Sequence, residues 1–269
     1  MPEDGATRLT LMSLNTRGVP VVGSRLARRY AVVGTALEAG DADIVCFQEV
    51  FTWWHLRLLT RRMRSFRHVS CRPSPTGPAG GLVTFSRLPV SGTVNRGFGI
   101  PSNTPGISRM VRFRAGLKGA LITRLACPRL GVVNTHLVAS PDGNWSPSAQ
   151  FYPLHRDQLA GLARVVHDVP VPAVVCGDFN IDRDSSLFSG FMADTGLADA
   201  FGGDCPATFR ADYLADGKTP HCIDFILTTH GVEAETATVV FRNKESLRGA
   251  PDYVSDHVGL RASLSLARP

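Results

Sequence analysis

Two short stretches combine acidic, amide and imidazole side chains at points where apolar segments end. Asp178 and Asn180 follow the apolar residues 174–176, and Asp256 and His257 are neighbours near the end of the chain. A carboxylate and an amide two residues apart would share one face of an extended chain, where they could hold a water molecule and hydrogen-bond a phosphoryl oxygen. An imidazole can take a proton from such a water near neutral pH. These residue types predict hydrolysis of a phosphate ester.

Two further polar residues end strand-like segments nearer the beginning of the chain. Glu49 follows the segment 43–48, and Asn15 follows the segment 9–14. Mg²⁺ prefers oxygen ligands, usually one or two carboxylates completed by water and phosphate oxygens. We therefore expect Glu49 to bind a divalent cation, Mg²⁺ first and Mn²⁺ as an alternative, beside the amide oxygen of Asn15. Taken alone, Asn15 could equally be a turn residue and Glu49 a helix cap.

Asp224 and His136 are polar residues of two more apolar segments. Asp224 enters the segment 223–228, where a buried carboxylate needs a partner, and His257 is the natural one. His136 ends the run 132–136 and could donate a hydrogen bond to a phosphate oxygen. Each histidine taken singly could instead be a hydrogen-bonded structural residue.

The elements that must position these residues alternate between strands and helices. Strands are expected over 8–14, 43–48, 82–86, 109–114, 120–125, 131–137, 171–176, 223–228 and 259–266, and helices over 25–39, 53–65, 155–168 and 185–195. Residues 71–81 read as a loop because their prolines and glycines oppose regular structure. Trp54, Leu58 and Met63 would form the inner side of the second helix. Strands spread over the whole length without a linker favour one domain, residues 1–269, with two sheets and outer helices.

Composition sets the class of protein and limits its partners. Apolar residues make up 43% and charged residues 19%, as in ordinary soluble globular proteins. The 29 Lys and Arg exceed the 23 Asp and Glu, which fits an anionic partner but equally an arginine-rich composition without functional meaning. No apolar stretch is long enough to span a membrane, and residues 1–5 lack a signal-peptide pattern. We expect a cytoplasmic protein with reduced cysteines, or a secreted one if the chain is a processed form.

Six short motifs, in order over nearly the whole chain, resemble the endonuclease/exonuclease/phosphatase superfamily, the fold of deoxyribonuclease I. They are Leu-Met-Ser-Leu-Asn at 11–15, Phe-Gln-Glu at 47–49, Asn-Thr-His-Leu at 134–137, Gly-Asp-Phe-Asn at 177–180, Ile-Asp-Phe-Ile-Leu at 223–227 and Ser-Asp-His at 255–257. The resemblance implies a four-layer α/β sandwich, two mixed β-sheets packed face to face and flanked by helices. It also implies Mg²⁺-dependent phosphodiester hydrolysis by in-line attack of water.

The resemblance assigns a role to each candidate residue. Glu49, Asn15 and Asp256 would lie at the metal ion. His257 would act as the general base or stabilise charge on the phosphate, with Asp224 orienting it. Asp178 and Asn180 would position the water and the phosphorus, and His136 and Asn180 would bind the substrate's phosphoryl oxygens.

Three segments resemble the neutral sphingomyelinase branch of the superfamily. They are a Gly-Gly pair before a strand at 80–81, Lys-Gly before a strand at 118–119, and Arg-Asp-Gln-Leu at 156–159. They imply a phospholipid phosphodiesterase of the phospholipase C type. The segment 241–253 departs from that branch, because it is polar where secreted bacterial members carry an aromatic hairpin that enters the membrane.

A nucleic-acid substrate stays open as the alternative. Arginines 57, 61, 62, 64, 67 and 72 could follow a phosphate backbone, and Trp53, Trp54 and Phe66 among them could stack on bases. A solvated helix face explains the same pattern. The chain would then be an endonuclease, an exonuclease or a tyrosyl-DNA phosphodiesterase-like enzyme. An inositol-phosphate phosphatase is a third and less favoured option. A catalytically silent binding protein is also less favoured, because every candidate catalytic position is present. No obligate protein partner is expected.

Overall fold

The computed structural model describes residues 6–19, 25–99, 106–170, 172–247 and 251–267. Its strands are β1 (Thr7–Asn15), β2 (Ile44–Gln48), β3 (His68–Ser70), β4 (Val83–Ser86), β5 (Val90–Gly97), β6 (Gly119–Leu125), β7 (Gly131–His136), β8 (Ala173–Asp178), β9 (Ala198–Asp199), β10 (Asp224–Thr228), β11 (Val232–Val240), β12 (Glu245–Ser246), β13 (Pro251–Asp252) and β14 (Gly259–Leu266). Its α-helices are α1 (Leu26–Ala39), α2 (Trp53–Thr60), α3 (Arg109–Gly116), α4 (Tyr152–Asp168) and α5 (Ser186–Thr195).

Two six-stranded mixed sheets form the centre of the molecule. The first has the strand order β11-β14-β1-β2-β4-β3, and the second has the order β5-β6-β7-β8-β10-β9. Each sheet contains one parallel pair, β1 with β2 and β7 with β8, and its other pairs are antiparallel. The prediction of two mixed sheets is confirmed.

The apolar residues sort into three buried layers, which confirms the four-layer sandwich. In β1, Leu9 and Leu11 face the second sheet, whereas Met12 and Leu14 face the helices α1 and α2. This alternation follows from the two-residue period of a strand. The other face of the second sheet packs on α4 and α5.

The strand predicted at 109–114 is wrong, because these residues form the helix α3. The side chain of Ser108 accepts a hydrogen bond from the N–H of Val111 and so caps the first turn. Val111 and Ala115 then pack on a small apolar cluster with Leu154. The contact with α4 therefore selects the helix.

Of the strands that were not predicted, the two longest, β5 and β11, lie at sheet edges. β5 and β11 each pair with a single neighbour, and many of their residues are exposed. An edge strand exposes half of its surface, so it lacks the continuous apolar run by which buried strands are recognised. Some further predictions concern residues outside the described part of the chain. These are residues 1–5, Val171, and residues 248–250 of the segment 241–253.

The second helix is shorter than expected and presents a different face. It ends at Thr60, and its buried residues are His55 and Leu59. Trp54 is 54% exposed, so the prediction that it forms the inner side is wrong. Met63, just after the helix, is buried as expected.

Gly177 allows the close approach of β8 to β7 that brings their ends together. Its φ of 138° is a conformation that side-chain-bearing residues rarely adopt, and a Cβ there would overlap the carbonyl of Thr135. We expect Gly177→Ala to lower the free energy of unfolding by about 2–4 kcal/mol through backbone strain and steric overlap. Urea denaturation measures this.

Gly190 is the matched control for that substitution. It lies within α5, is exposed, and a Cβ there would meet nothing within 4 Å. Gly190→Ala should leave stability unchanged or raise it by up to about 1 kcal/mol. Equal effects of the two substitutions would contradict a special backbone requirement at Gly177.

Candidate active site

The carboxyl ends of both parallel strand pairs meet at one place. Asn15 ends β1 beside the end of β2, and His136 ends β7 directly opposite Asp178, the last residue of β8. Across the two sheets, Nδ2 of Asn15 donates a hydrogen bond of 2.8 Å to Oδ2 of Asp178. Polar residues that the sequence spreads over more than a hundred positions are thus brought into contact.

Asp178 is the centre of this arrangement and is almost fully buried. Its Oδ2 lies 3.5 Å from Nε2 of His136 and 3.8 Å from Nε2 of His257. Burial and the neighbouring carboxylate of Asp224 raise the pKa of Asp178 to about 7, although His257, Asn15 and the ammonium of Lys118 act in the opposite direction. At neutral pH this carboxyl group can therefore both hold and release a proton.

His257 and Asp224 form a buried pair beside Asp178. Nδ1 of His257 donates to Oδ2 of Asp224 at 2.8 Å, and the edge of the ring faces Phe209. β10 places Asp224 directly opposite Asp178 in the second sheet. Burial alone would lower the pKa of His257, but the attraction of Asp224 and Asp178 outweighs it and raises the pKa to about 10. The imidazole is therefore positively charged at neutral pH, and Asp224 has the partner that the sequence predicted.

Glu49 and Asp256 are both linked to Asn15, Glu49 directly and Asp256 through Arg17. Oε1 of Glu49 accepts a hydrogen bond of 3.2 Å from Nδ2 of Asn15, and its φ of 64° turns the chain sharply at the end of β2. Asp256 is held by the hydroxyl of Ser255 at 3.2 Å and by Nε of Arg17 at 3.4 Å. Asn15 also joins this group, because its Oδ1 accepts from the backbone N–H of Arg17 at 3.0 Å.

The oxygen atoms of Glu49, Asp256 and Asn15 are of the kind that a hard cation binds. Both carboxylates are partly exposed, and the amide oxygen of Asn15 retains one lone pair after accepting from Arg17. Asp178, Asp224 and His257 also offer ligand atoms within 4.8 Å of one another. In that second group, Nδ1 of His257 is already engaged by Asp224, whereas Glu49, Asp256 and Asn15 offer oxygen atoms only.

Asn180 reaches the site by a different route from the one predicted. β8 ends at Asp178, and Asn180 has a left-handed φ of 52°, so the two residues do not alternate along an extended chain. Oδ1 of Asp178 instead accepts the backbone N–H of Asn180 at 2.8 Å, and Nδ2 of Asn180 donates to the carbonyl of Leu137. The local turn therefore fixes the amide beside the carboxylate.

His136 is buried and neutral. Burial, Lys118 and His257 all lower its pKa well below the usual value. Its Nδ1 has no hydrogen-bond partner among the described residues, although the ring is almost fully enclosed. A neutral imidazole with one free nitrogen can exchange a hydrogen bond with a substrate oxygen.

Lys118, Arg17 and Ser255 contribute to the site but were not predicted as site residues. Burial lowers the pKa of Lys118 to about 8, against the attraction of Asp178 and Glu49. In the sequence Lys118 stood out only through the resemblance to sphingomyelinases. Ser255 belongs to the Ser-Asp-His motif and Arg17 follows Asn15 by two positions, but no pattern marks either as a partner of Asp256.

A cavity of about 360 Å³ opens beside Asn180. It is lined by Trp145, Asp182, Asp184 and His221, among others. The indole N–H of Trp145 donates to the carbonyl of Asn180 at 2.9 Å and so ties the cavity wall to the site. A substrate group attached to a phosphate at the site could extend here.

The arginine-rich segment near Glu49 keeps only part of its predicted stacking surface. Phe66 is 3% exposed and packs against Phe85, so it cannot stack on a base. Trp54 is exposed, and Arg57 and Arg61 lie near it in sequence on the solvent side.

Among the described residues, no helix has the length and apolar character that a membrane span requires.

Residues 12–257 match the sequence model of the Endonuclease/Exonuclease/phosphatase family. Sphingomyelin phosphodiesterase 2 of Homo sapiens is 24% identical over 215 residues, which cover 75% of this chain and 48% of that protein. The chain thus spans about half the length of this curated relative.

Two solved structures share the fold at low sequence identity. Sphingomyelinase C from Streptomyces griseocarneus superposes with a TM-score of 0.72 at 19% identity, over 97% of this chain and all of the other. D. rerio TDP2 complexed with a single-strand DNA product superposes with a TM-score of 0.71 at 16% identity, over 96% of this chain and 99% of the other. A sphingomyelinase and a protein solved with a DNA product thus resemble this fold almost equally.

Asp224→Asn should lower the pKa of His257 by about 1 to 3 pH units, because it removes the closest negative charge. The pKa of His257 in the folded protein, about 10, lies above its ordinary value of 6.5. The imidazolium therefore stabilises the fold fully below pH 6.5, and this stabilisation is lost as the pH rises towards 10. In Asp224→Asn the total stabilisation should be smaller, and its loss should be complete at a lower pH, because the folded-state pKa is closer to 6.5. Titration of the imidazole by nitrogen-detected NMR on metal-free protein measures the change.

Asp182→Asn provides the control, because Asp182 pairs with a different histidine, His221, at 3.1 Å. It should leave the titration of His257 unaltered. A pKa of His257 that is the same in wild type and in Asp224→Asn would refute the electrostatic role of Asp224.

Proposed function

Because the chain belongs to the endonuclease/exonuclease/phosphatase family, whose members hydrolyse phosphodiesters, we propose that it is a Mg²⁺-dependent phosphodiesterase acting on a phospholipid, with sphingomyelin-type headgroup release as the first candidate reaction. The observation that carries the reaction class is the contact of Asp178 with Asn15, His136 and His257 at the joined ends of the two sheets. The products would be a lipid alcohol and a phosphorylated headgroup.

Asp178 is proposed to take the proton of the attacking water. Its carboxylate is held by Nδ2 of Asn15 and by the backbone N–H of Asn180, so its free lone pairs have a fixed direction. A pKa of about 7 matches a general base that works near neutral pH. Water bound between Asp178 and Asn180 would then attack the phosphorus. The bond from phosphorus to the lipid alcohol oxygen would break, and that oxygen would take up a proton from solvent water.

His257 is proposed to stabilise the negative charge that develops on the phosphoryl group. Asp224 keeps Nδ1 engaged and the ring charged, which leaves Nε2, 3.8 Å from Asp178, directed into the site. His136 and the second N–H of the Asn180 amide would bind phosphoryl oxygens. Such donors, fixed before the reaction in a buried site, act most strongly where charge develops.

Glu49 and Asp256, with the amide oxygen of Asn15, are proposed to hold the Mg²⁺ ion. When bound, the ion would offset negative charge on a phosphate oxygen. Arg17, which pairs with Asp256 at 3.4 Å, would keep that carboxylate in place and balance its charge. Asn15 would couple the two halves of the site, because it donates to both Glu49 and Asp178.

Two sets of observations bear on the substrate. A lipid substrate is supported by the sequence match to human sphingomyelin phosphodiesterase 2. It is also supported by Lys118 at the edge of the site, which belongs to a segment that resembles the neutral sphingomyelinases. The nucleic-acid alternative is supported by the likeness to TDP2 and by the exposed Trp54 among arginines. We favour the lipid, because Phe66, one of the three aromatic residues that could stack on bases, is buried.

Parallel assays separate these substrates. Purified protein is given sphingomyelin and phosphatidylcholine vesicles, single-stranded and duplex DNA, and bis(p-nitrophenyl) phosphate, each with Mg²⁺ or with EDTA. We expect release of phosphocholine that requires Mg²⁺ and leaves DNA intact. DNA cleavage without phosphocholine release would replace the lipid with nucleic acid, and silence on all substrates would refute the reaction class.

Glu49→Gln and His257→Ala should each lower kcat on bis(p-nitrophenyl) phosphate by at least about 100-fold, since they remove a cation ligand and a charge-stabilising donor. Thermal unfolding must show that both variants remain folded. Asp194→Asn, which alters an exposed carboxylate on α5, should keep its rate. Near wild-type rates in a folded Glu49→Gln or His257→Ala would contradict the assigned roles.

A further inference from the structure

Helix α3 carries an apolar face that is exposed to solvent. Met110, Phe113 and Leu117 are 60%, 60% and 59% exposed, and they are three of the six large apolar side chains that are exposed within the described residues. Their spacing of three and four positions places them on one side of the helix. Exposed apolar side chains gathered in one patch mark an interaction surface more often than scattered ones do.

The opposite face fixes this helix to the protein. Val111 and Ala115 pack with Val138 and Leu154, and the amide of Gln158 donates to the carbonyl of Ala115 at 3.3 Å. Because the helix is anchored by its inner side and capped at its start, its outer side is held at a defined orientation.

Positive charge borders the apolar face. At about 3.6 residues per turn, Arg109 and Arg114 fall on the two sides of the stripe formed by Met110, Phe113 and Leu117. Both arginines are exposed, and neither forms an ion pair within the described part of the chain. The stretch 50–141, which contains α3, has fourteen Lys and Arg and no Asp or Glu. An anionic surface would be attracted to Arg109 and Arg114.

The end of α3 lies at the rim of the candidate active site. The carbonyl of Leu117 is 3.5 Å from the position that a Cβ on Gly80 would take, and the corresponding position on Gly81 is 3.0 Å from Cα of Glu49. Lys118, the next residue, interacts electrostatically with Glu49 and Asp178. A surface bound to α3 would therefore lie next to the entrance of the site.

We propose that α3 is a membrane-docking helix. Met110, Phe113 and Leu117 would enter the interfacial region of an anionic lipid bilayer, while Arg109 and Arg114 would contact lipid phosphates. An apolar stripe flanked by basic residues is the pattern of helices that lie in a membrane interface. This inference rests on the proposed lipid substrate and adds the way in which the enzyme reaches it.

The chemistry of the patch favours lipid over other partners. A nucleic acid could stack a base on Phe113, but it offers no apolar environment for Met110 and Leu117. A second copy of this chain would need to bury roughly 800 Å² on each partner for a stable dimer, and three side chains supply only a small part of that area. A bilayer interface accepts all three apolar side chains and both arginines.

Sedimentation with sucrose-loaded vesicles tests the proposal on the full chain in EDTA, so that binding is measured without hydrolysis. We expect wild type to bind phosphatidylcholine vesicles containing phosphatidylserine more tightly than vesicles of phosphatidylcholine alone. Met110→Ser with Phe113→Ser should weaken binding by at least about tenfold, because the burial of two large apolar side chains is lost. Arg109→Gln with Arg114→Gln should weaken binding only to the anionic vesicles.

Matched variants distinguish the helix from general effects. Val69→Ser removes an exposed apolar side chain on β3, and Arg164→Gln with Arg242→Gln removes two exposed charges outside the basic stretch. Neither should change binding as the α3 variants do. Phe113→Trp should bind at least as tightly as wild type, with tryptophan emission shifted to the blue on vesicles.

Several results would overturn the docking role. These are equal vesicle binding by wild type and Met110→Ser/Phe113→Ser, binding to DNA but not to vesicles, or a dimer in light scattering that the double substitution dissociates. Hydrolysis of bis(p-nitrophenyl) phosphate by the double variant should match wild type. If the wild type hydrolyses no diester yet binds vesicles through α3, the proposed reaction fails and the docking surface stands.

Discussion

The hydrogen bond between Asn15 and Asp178 joins the two sheets at the point where all the candidate chemistry lies. A buried carboxylate is costly without a partner, and here the partner comes from the opposite sheet at 2.8 Å. A second polar link supports it one layer deeper, where the amide of Gln48 donates to Oδ1 of Asn134 at 2.8 Å. In an otherwise apolar interface such paired groups tolerate little displacement, since a shift of one sheet would leave buried donors and acceptors unsatisfied. The position of one sheet on the other is therefore coupled to the geometry of the site.

Around this bond, the proposed chemistry has a proton-transfer side and a cation side. On one side, Asp178 and Asp224 are close to each other and to His257. Burial and Asp224 raise the pKa of Asp178 to about 7, and the two carboxylates raise the pKa of His257 to about 10, which favours the charged ring. A group that titrates near neutral pH suits a base, and a group that stays charged suits a charge-stabilising donor. On the other side the oxygens of Glu49 and Asp256 remain partly accessible. Asn15 contacts Glu49 directly, so changes at the cation side can reach Asp178 through a single side chain.

The sequence predicts the fold and the site wherever a polar residue ends a buried strand. Asn15, Glu49, His136 and Asp178 follow this rule, because a carboxyl-terminal strand end is where a polar side chain can leave the core yet stay fixed. Asp224 was recognised by the related reasoning that a buried charge needs a partner. Elements that depend on distant contacts could not be predicted: α3 is helical because Val111 and Ala115 pack on Leu154, and the edge strands β5 and β11 lack an apolar run. The turn at Asn180 and the pairing of Arg17 with Asp256 likewise arise only once the chain has folded.

The most direct test of this account is the titration of the Asp178 carboxyl group, followed by carbon-detected NMR in metal-free protein. Burial between the sheets and the neighbouring Asp224 predict a midpoint near pH 7 in wild type. In Asn15→Ala the midpoint should move to higher pH, because the hydrogen bond that favours the ionised form is lost. A midpoint near that of an ordinary aspartate, or one that does not respond to the loss of Asn15, would contradict the central place given to the bond between the two sheets.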